Sequence, residues 1–305
     1  MNAQLASDRI ITDRLRSLAD SLPAVLEAEP EAVHKARVAS RRVREALPVV
    51  LAQAPARRAG RLRRSFRRVT RALGAVRELD VTRALLDEVL RDDPEAAPAL
   101  ERLVRELGDE RSTRREQMLS RLDAIDFESL VGRIERLMDE RADESDEARA
   151  LPAAIEGTLG VRVARRVRAL EVAVDRAGGL YAVEALHAVR IATKKLRYVG
   201  ELASDMRIVR SRRPLTALRA AQETLGAMHD EQVLAERLRR LALEQDAGGS
   251  VARVLDRLDR TCRERHARYL AMRPRVLAAA AQLVEAVTGA RRSHPEPVEP
   301  AATVH

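Results

Sequence analysis

An eleven-residue stretch, His34-Lys-Ala-Arg-Val-Ala-Ser-Arg-Arg-Val-Arg44, returns in the second half of the chain as His187-Ala-Val-Arg-Ile-Ala-Thr-Lys-Lys-Leu-Arg197. Size, branching and charge recur position by position, so the chain must fold as something that uses this unit twice. On a helix advancing ~100° per residue, His34, Arg37, Arg41 and Arg44 fall within an arc of roughly 80°. His187, Arg190, Lys194 and Arg197 do the same. Val33, Ala36, Val43 and Leu47 occupy the adjoining arc, with Val38 on the other side, and Leu186, Val189, Leu196 and Ile191 repeat that arrangement. A cationic stripe bordered by apolar residues on both sides predicts a groove or cavity, since a solvated face normally lies opposite the apolar one. Unpaired cations held together there repel one another and are costly to desolvate. The stripe therefore points to an anion from outside the protein. No matching acidic stripe accompanies it, which disfavours a plainly solvated charged face.

Lysine usage marks the same region. The only three lysines in the chain, Lys35, Lys194 and Lys195, lie inside the two copies, against a background that uses arginine everywhere else. The expected anion ligands are His34, Lys35, Arg37, Arg41, Arg42 and Arg44 with His187, Arg190, Lys194, Lys195 and Arg197; Lys35, Arg42 and Lys195 project from the side of the stripe. A further basic series, including Arg64, Arg67 and Arg71, is expected either to line the same cavity or to face solvent. His34 lies one turn from Arg37, and His187 one turn from Arg190, so neighbouring positive charge favours neutral imidazole.

The remaining composition excludes several classes. Hydrophobic residues make up 46%, carried by Ala, Val and Leu with 2% aromatics and no Trp, as in packed helices. The formal net charge of +9 allows an acidic partner. One cysteine, Cys262, rules out an intrachain disulfide framework and cysteine-cluster metal sites, and reads as a packed small residue. No apolar run approaches the ~20 residues of a membrane span, which predicts a soluble cytoplasmic protein. No His or carboxylate stands four residues from either motif histidine on the same face, and the nearby cations oppose a metal ion. No catalytic residues, metal or cofactor are expected. The dipeptide His229-Asp230 alone is weak support for a metal phosphohydrolase.

Periodicity predicts helices over 4–22, 30–53, 56–75, a segment to 91, then to 122, and 127–141. The second half predicts helices over 151–176, 180–203, 207–226, 229–245, 249–272 and 274–289, with no strand. Leu225-Gly-Ala-Met-His-Asp230 matches Leu73-Gly-Ala-Val-Arg-Glu78, and Arg263 is expected to correspond to Arg111, so the duplication spans both halves. The acidic segment 139–149 places the boundary, giving halves 1–145 and 146–290 and a disordered tail 291–305. His266 reads as an exposed helix residue.

These residues resemble the CHAD family, the conserved-histidine α-helical domain. Its two diagnostic helices begin with His-x-x-Arg, as His34 to Arg44 and His187 to Tyr198 do. The Leu-Gly segments look like its next landmark, with Glu78 where an aspartate is more usual and His229 where an asparagine is common. The resemblance covers residues 4 to 290 as a stand-alone domain. It implies an all-α fold of two similar antiparallel helical bundles related by internal pseudo-twofold symmetry around a basic central cavity. It also implies binding of inorganic polyphosphate without catalysis, and allows association with polyphosphate granules. The residues leave open a phosphohydrolase acting on polyphosphate or nucleotides, and a non-specific nucleic-acid binder. The last is disfavoured because single-strand binders stack bases on aromatic side chains, and this chain has three Tyr and two Phe. Oligomeric state is left open by the sequence.

Overall fold

The computed structural model of the chain describes residues 3–27, 29–140, 145–244 and 248–292. Among the described residues there are nine α-helices, one short 3₁₀ turn and no strand. The helices are α1 (Ala3–Leu26), α2 (Pro30–Val50), α3 (Ala56–Asp92), α4 (Ala97–Asp123), α5 (Phe127–Glu140), α6 (Ser145–Ala177), α7 (Val183–Asp205), α8 (Arg213–Glu244) and α9 (Gly248–Arg292). None is long and apolar enough to cross a membrane.

Several expected breaks are absent. The helices predicted to stop at Leu73-Gly74 and Leu225-Gly226 run through as single long helices, α3 and α8, and α9 continues through Pro274. A glycine inside a helix costs about 1 kcal/mol, which burial of neighbours such as Leu73, Val76, Leu225 and Met228 readily offsets. Pro23 likewise lies within α1. Helix α8 starts at Arg213, later than expected, because α7 ends in a left-handed turn at Arg207 (φ 60°), whose N–H reaches the Ser204 carbonyl. Gly178, at φ 57°, terminates α6 in the same way. The acidic boundary segment falls between α5 and α6, with 141–144 outside the described residues. Residues 293–305 of the expected tail also lie outside them, and Arg292 still belongs to α9.

Sequential helices pack as hairpins: α1 on α2, α2 on α3, α3 on α4, then α6 on α7, α7 on α8 and α8 on α9. Across these sets, α1 meets α6, α2 meets α7, α3 meets α8 and α4 meets α9. One large apolar cluster joins residues of both sets, including Leu47, Leu73, Leu151 and Leu202. A second, smaller one ties the far ends of α3, α4, α8 and α9 through Leu86, Leu100, Leu238 and Val254. Ion pairs also stitch the two sets together. Arg162 reaches the buried Glu45 at 2.7 Å, Arg14 reaches Asp205 at 2.8 Å, and Arg237 reaches Glu110 at 2.9 Å. Much of the arginine excess is thus matched internally, which makes the unmatched cations informative.

Candidate anion-binding site

Helix α2 opens with Pro30 in its first turn, where the missing N–H costs nothing, and with Glu31 favourably placed against the helix dipole. Val33, Ala36, Val43 and Leu47 are fully buried, as are Val189 and Leu196 on α7. The [Ser/Thr] position of the repeat is also buried, and Ser40 meets Thr70 of α3 at 3.1 Å. With that face fixed, His34, Arg37, Arg41 and Arg44 are half-buried, and so are His187, Arg190 and Lys194. The stripe lies between core and solvent, as its apolar flanks predict.

The two stripes meet. The Arg37 guanidinium lies against Gly74 of α3, where a Cβ would come within 3.5 Å of it, and one Nη reaches Glu78 at 3.3 Å. Its Nε is buried with no acceptor. Burial, then the charge of Arg41, brings Arg37 down to about 10, with Arg190 adding to the effect. Lys194 is pushed down to about 7 by burial and by Arg41, Arg190 and Arg37, opposed by Glu78. Arg190 is lowered by burial first and Arg41 among its neighbours, against Asp230 and Glu78. No carboxylate among the described residues lies within ion-pair distance of Arg41, Arg190 or Lys194. Cations from both copies of the repeat therefore share one half-buried centre that holds fewer negative than positive charges.

Three histidines border it. His34 is lowered by burial and then by Arg77, and His187 by burial and then by Arg190 and Lys194. The direction is the expected one, with burial ahead of neighbouring charge as its cause. His229 of α8 is held down to about 4, by burial, Arg190, His187 and Lys194. Burial raises Asp230 in spite of Arg190, Arg77 and Arg37.

Other expected ligands are placed differently. Arg44 sits by Arg67 of α3 and Arg166 of α6, lowered by burial with Glu45 opposing. Arg64, Arg67 and Arg71 are exposed, spaced on the α3 face that leads to Gly74. Lys35 is exposed and pairs loosely with Glu31 at 3.8 Å; Lys195 is exposed. Arg42 is exposed and turns to Glu201 at 3.8 Å. Arg197 is buried, bonded to Glu201 and to Gln222 Oε1 at 2.8 Å, and so is withdrawn from the stripe. Its repeat partner Arg44 has no such acid, because Pro48 stands where Glu201 stands in the second copy.

The CHAD domain family profile matches residues 9–239. The chain belongs to the CHAD family. Its similarity extends to a solved CHAD domain from the plant Ricinus communis, at 26% identity and a TM-score of 0.57, over 93% of this chain and 92% of that one. PptA from Streptomyces chartreusis shares the fold, at a TM-score of 0.58 and 16% identity, over 92% of this chain and 99% of that one. Uncharacterized proteins from two strains of Mycobacterium tuberculosis are 27% identical over 72% of this chain. The CHAD chain spans 42% of the length of these relatives. The family profile ends within α8, short of the residue 290 to which the resemblance extends.

Within this CHAD domain, pronounced cavities are lined by residues other than those of the cationic centre. One of about 500 Å³ is lined by Arg14, Arg42, Glu201, Asp205, Arg212 and Arg219, and one of about 370 Å³ by Arg58, Arg61, Arg133 and Glu140. Neither is lined by Arg37, Arg41, Arg190 or Lys194. No group of three or more His, Cys, Asp or Glu among the described residues is arranged to hold a metal. One expectation outside the centre is corrected: His266 is buried, 5.4 Å from the Tyr181 ring. Arg111 reaches Asp80 at 2.6 Å, whereas Arg263, its expected counterpart in the repeat, faces solvent and Arg265 pairs with Glu231 of α8 at 2.8 Å. Cys262 is buried and its thiol is pushed up to about 11, mainly by desolvation, which suits packing and not nucleophilic chemistry. Reading the motif helices alone missed Arg77, Arg166 and Glu78. The matched Leu-Gly segments carried the signal for Arg77 and Glu78, which occupy the positions of His229 and Asp230.

Proposed function

We propose that this CHAD domain binds inorganic polyphosphate, without catalysis, at the centre where α2, α3, α7 and α8 converge. The observation that carries this reading is the approach of Arg37 and Arg41 to Arg190 and Lys194, with Glu78 and Asp230 as the nearby acids. Half-burial depresses all three of Arg37, Arg190 and Lys194, so the folded chain holds charge at an energetic disadvantage that a polyanion relieves. Polyphosphate has about one charge per residue along a flexible chain, which suits arginine forks and a lysine point charge. From the centre it extends along Arg44, Arg67 and Arg71 toward Arg64, and Arg166 contributes from α6. In this reading the halves 1–145 and 146–290 are related by a pseudo-twofold axis, across which α2 faces α7 and α3 faces α8. The closure of the second copy by Glu201 makes the site asymmetric, with more open cations on the first half.

The test is a titration with long-chain polyphosphate across a salt series. By analogy with single-stranded nucleic acid, each engaged phosphate contributes roughly 0.7 to the log–log slope. Affinity that does not change with salt is incompatible with the proposal. At matched phosphate concentration polyphosphate displaces bound RNA, and the reverse exchange fails.

A further inference from the structure

Lys194 differs from the other two lysines of the chain. Lys35 is 68% exposed at its side chain and has Glu31 at 3.8 Å, and Lys195 faces solvent. Lys194 is half-buried. Arg37 and Arg41 face it from α2, Glu78 from α3, His229 from α8, and Arg190 precedes it by one turn on α7. No carboxylate of any described helix, α6 and α9 included, comes within ion-pair distance of its Nζ. Burial first, and then this ring of cations, makes the ammonium give up its proton readily, and at about 7 its amine is largely free at mildly alkaline pH. A nucleophile of this kind ordinarily needs a dedicated base. Here burial and the flanking arginines make such a base unnecessary by favouring the neutral amine, and the arginines offer an anion subsite beside it.

We infer that Lys194 is a modification site for acyl phosphates, with the phosphoryl group of the reagent held by Arg37, Arg41 and Arg190. The neutral Nζ attacks the acyl carbon and an amide C–N bond forms. The bond from that carbon to the bridging oxygen breaks, phosphate leaves with the electron pair, and the amine proton passes to solvent. Acylation deletes the central cation, so the modified chain holds polyanions less tightly. This inference rests on the anion-binding reading for its phosphate subsite.

The experiment treats the full chain with acetyl phosphate between pH 6 and 9, cleaves after glutamate, and follows acetylation of each lysine by mass spectrometry. Lys35 and Lys195 are internal controls for ordinary exposed amines. At pH 8 a lysine near 7 is mostly neutral while an ordinary one is well under 1% neutral; partial burial and lower basicity reduce that advantage, leaving Lys194 about tenfold faster. Its rate levels off above pH 7 to 8, and pyrophosphate slows it. N-acetylimidazole, which carries no phosphoryl group, serves as the second reagent. Labelling by acetyl phosphate no faster at Lys194 than at the controls overturns the inference. So does selectivity confined to N-acetylimidazole, or selectivity indifferent to pyrophosphate. Polyphosphate affinity is measured separately on the unmodified chain. Its absence alongside selective acetylation sinks the binding reading alone, and its presence without selectivity sinks this one alone.

Discussion

The Nδ1 atoms of His187 and His229 stand 3.3 Å apart, with ring centroids separated by 4.6 Å. Two imidazolium rings would aim N–H groups at each other, so one ring must offer a lone pair. Burial first, then Arg190 and His187, hold His229 neutral down to about pH 4, where the unfolded chain protonates near 6.5. Its folded pKa is depressed, so the unfolded state binds more protons and stability falls as pH drops from about 6.5 toward 4. After discounting for half-exposure, the loss attributable to His229 is ~1–2 kcal/mol. Denaturant unfolding at pH 7 and pH 5 should show this difference in wild type and a smaller one in His229→Asn. Equal pH slopes would remove the pair from the account.

Arg44 and Arg197 occupy one position of the repeat yet do opposite work. Arg197 is tied to Glu201, with Arg42 and Arg219 at 3.8 and 3.9 Å from the same carboxylate. Removing it leaves a buried acid short of its main partner, a change worth about 3 kcal/mol. Arg197→Ala should therefore lower unfolding free energy by that order with a small direct effect on polyphosphate. Arg44→Ala should change stability by under about 1 kcal/mol and weaken binding. The reverse assignment of effects would show that the ion pair is not what withdraws Arg197.

The contrast shows what the sequence made legible. Eleven residues of helical period were enough to place both stripes at the edge of the core, because the apolar positions on either side fix the rotation of each helix. The same projection put Lys35, Arg42 and Lys195 at the side of the stripe, and all three are exposed. It failed at Arg197, since a single acid four residues later outweighs membership of the arc. Arg166 was beyond reach because its place beside Arg44 depends on how α6 packs against α2. Local propensity also misjudged the lengths of α3, α8 and α9, where packing along both flanks carries the helix through Gly74, Gly226 and Pro274.

Gly74 offers a steric test of the Arg37 position. A Cβ there makes ordinary contact with the guanidinium, at 3.5 to 3.8 Å, so Gly74→Ala fits and should stabilise the long helix by roughly 0.5–1 kcal/mol with binding retained. Gly74→Leu needs the volume that the guanidinium fills. It should weaken polyphosphate binding several-fold while circular dichroism stays helical. Gly226→Leu, at the matching place on α8 where nothing lies within 4 Å, serves as the control.

Both halves contribute if the site is shared. Arg37→Ala with Arg41→Ala, and separately Arg190→Ala with Lys194→Ala, should each reduce polyphosphate affinity at least tenfold and flatten its salt dependence by about 0.7 per lost phosphate contact. Helicity should be unchanged, because among the described residues only Arg37 of these four has a carboxylate within ion-pair distance, and that acid, Glu78, is itself exposed. Full affinity in either double variant would make that half a structural copy only. Loss of folding would instead identify the cations as internal braces.

Proton uptake should accompany binding. Free Lys194 titrates at about 7, and His34 and His187 are depressed below their ordinary range, burial being the first cause in each case. A bound polyanion favours the charged form of all three, so their pKa values rise in the complex. Linkage then requires protons to be taken up on binding and affinity to strengthen as pH falls from 8 to 6. If Lys194 recovers an ordinary lysine pKa in the complex, it alone supplies about tenfold across that range. Long chains are needed, because terminal phosphates gain protons over the same interval while internal ones stay ionised. Calorimetry in two buffers of different ionisation enthalpy counts the protons in wild type, in Lys194→Arg and in His34→Gln with His187→Gln. At pH 8 the uptake should be largely lost in Lys194→Arg, whose guanidinium stays charged, and largely kept in the histidine variant. Near pH 6.5 the histidines take a larger share. Uptake that is equal in all three proteins would place none of these groups against the ligand and leave the site to the arginines.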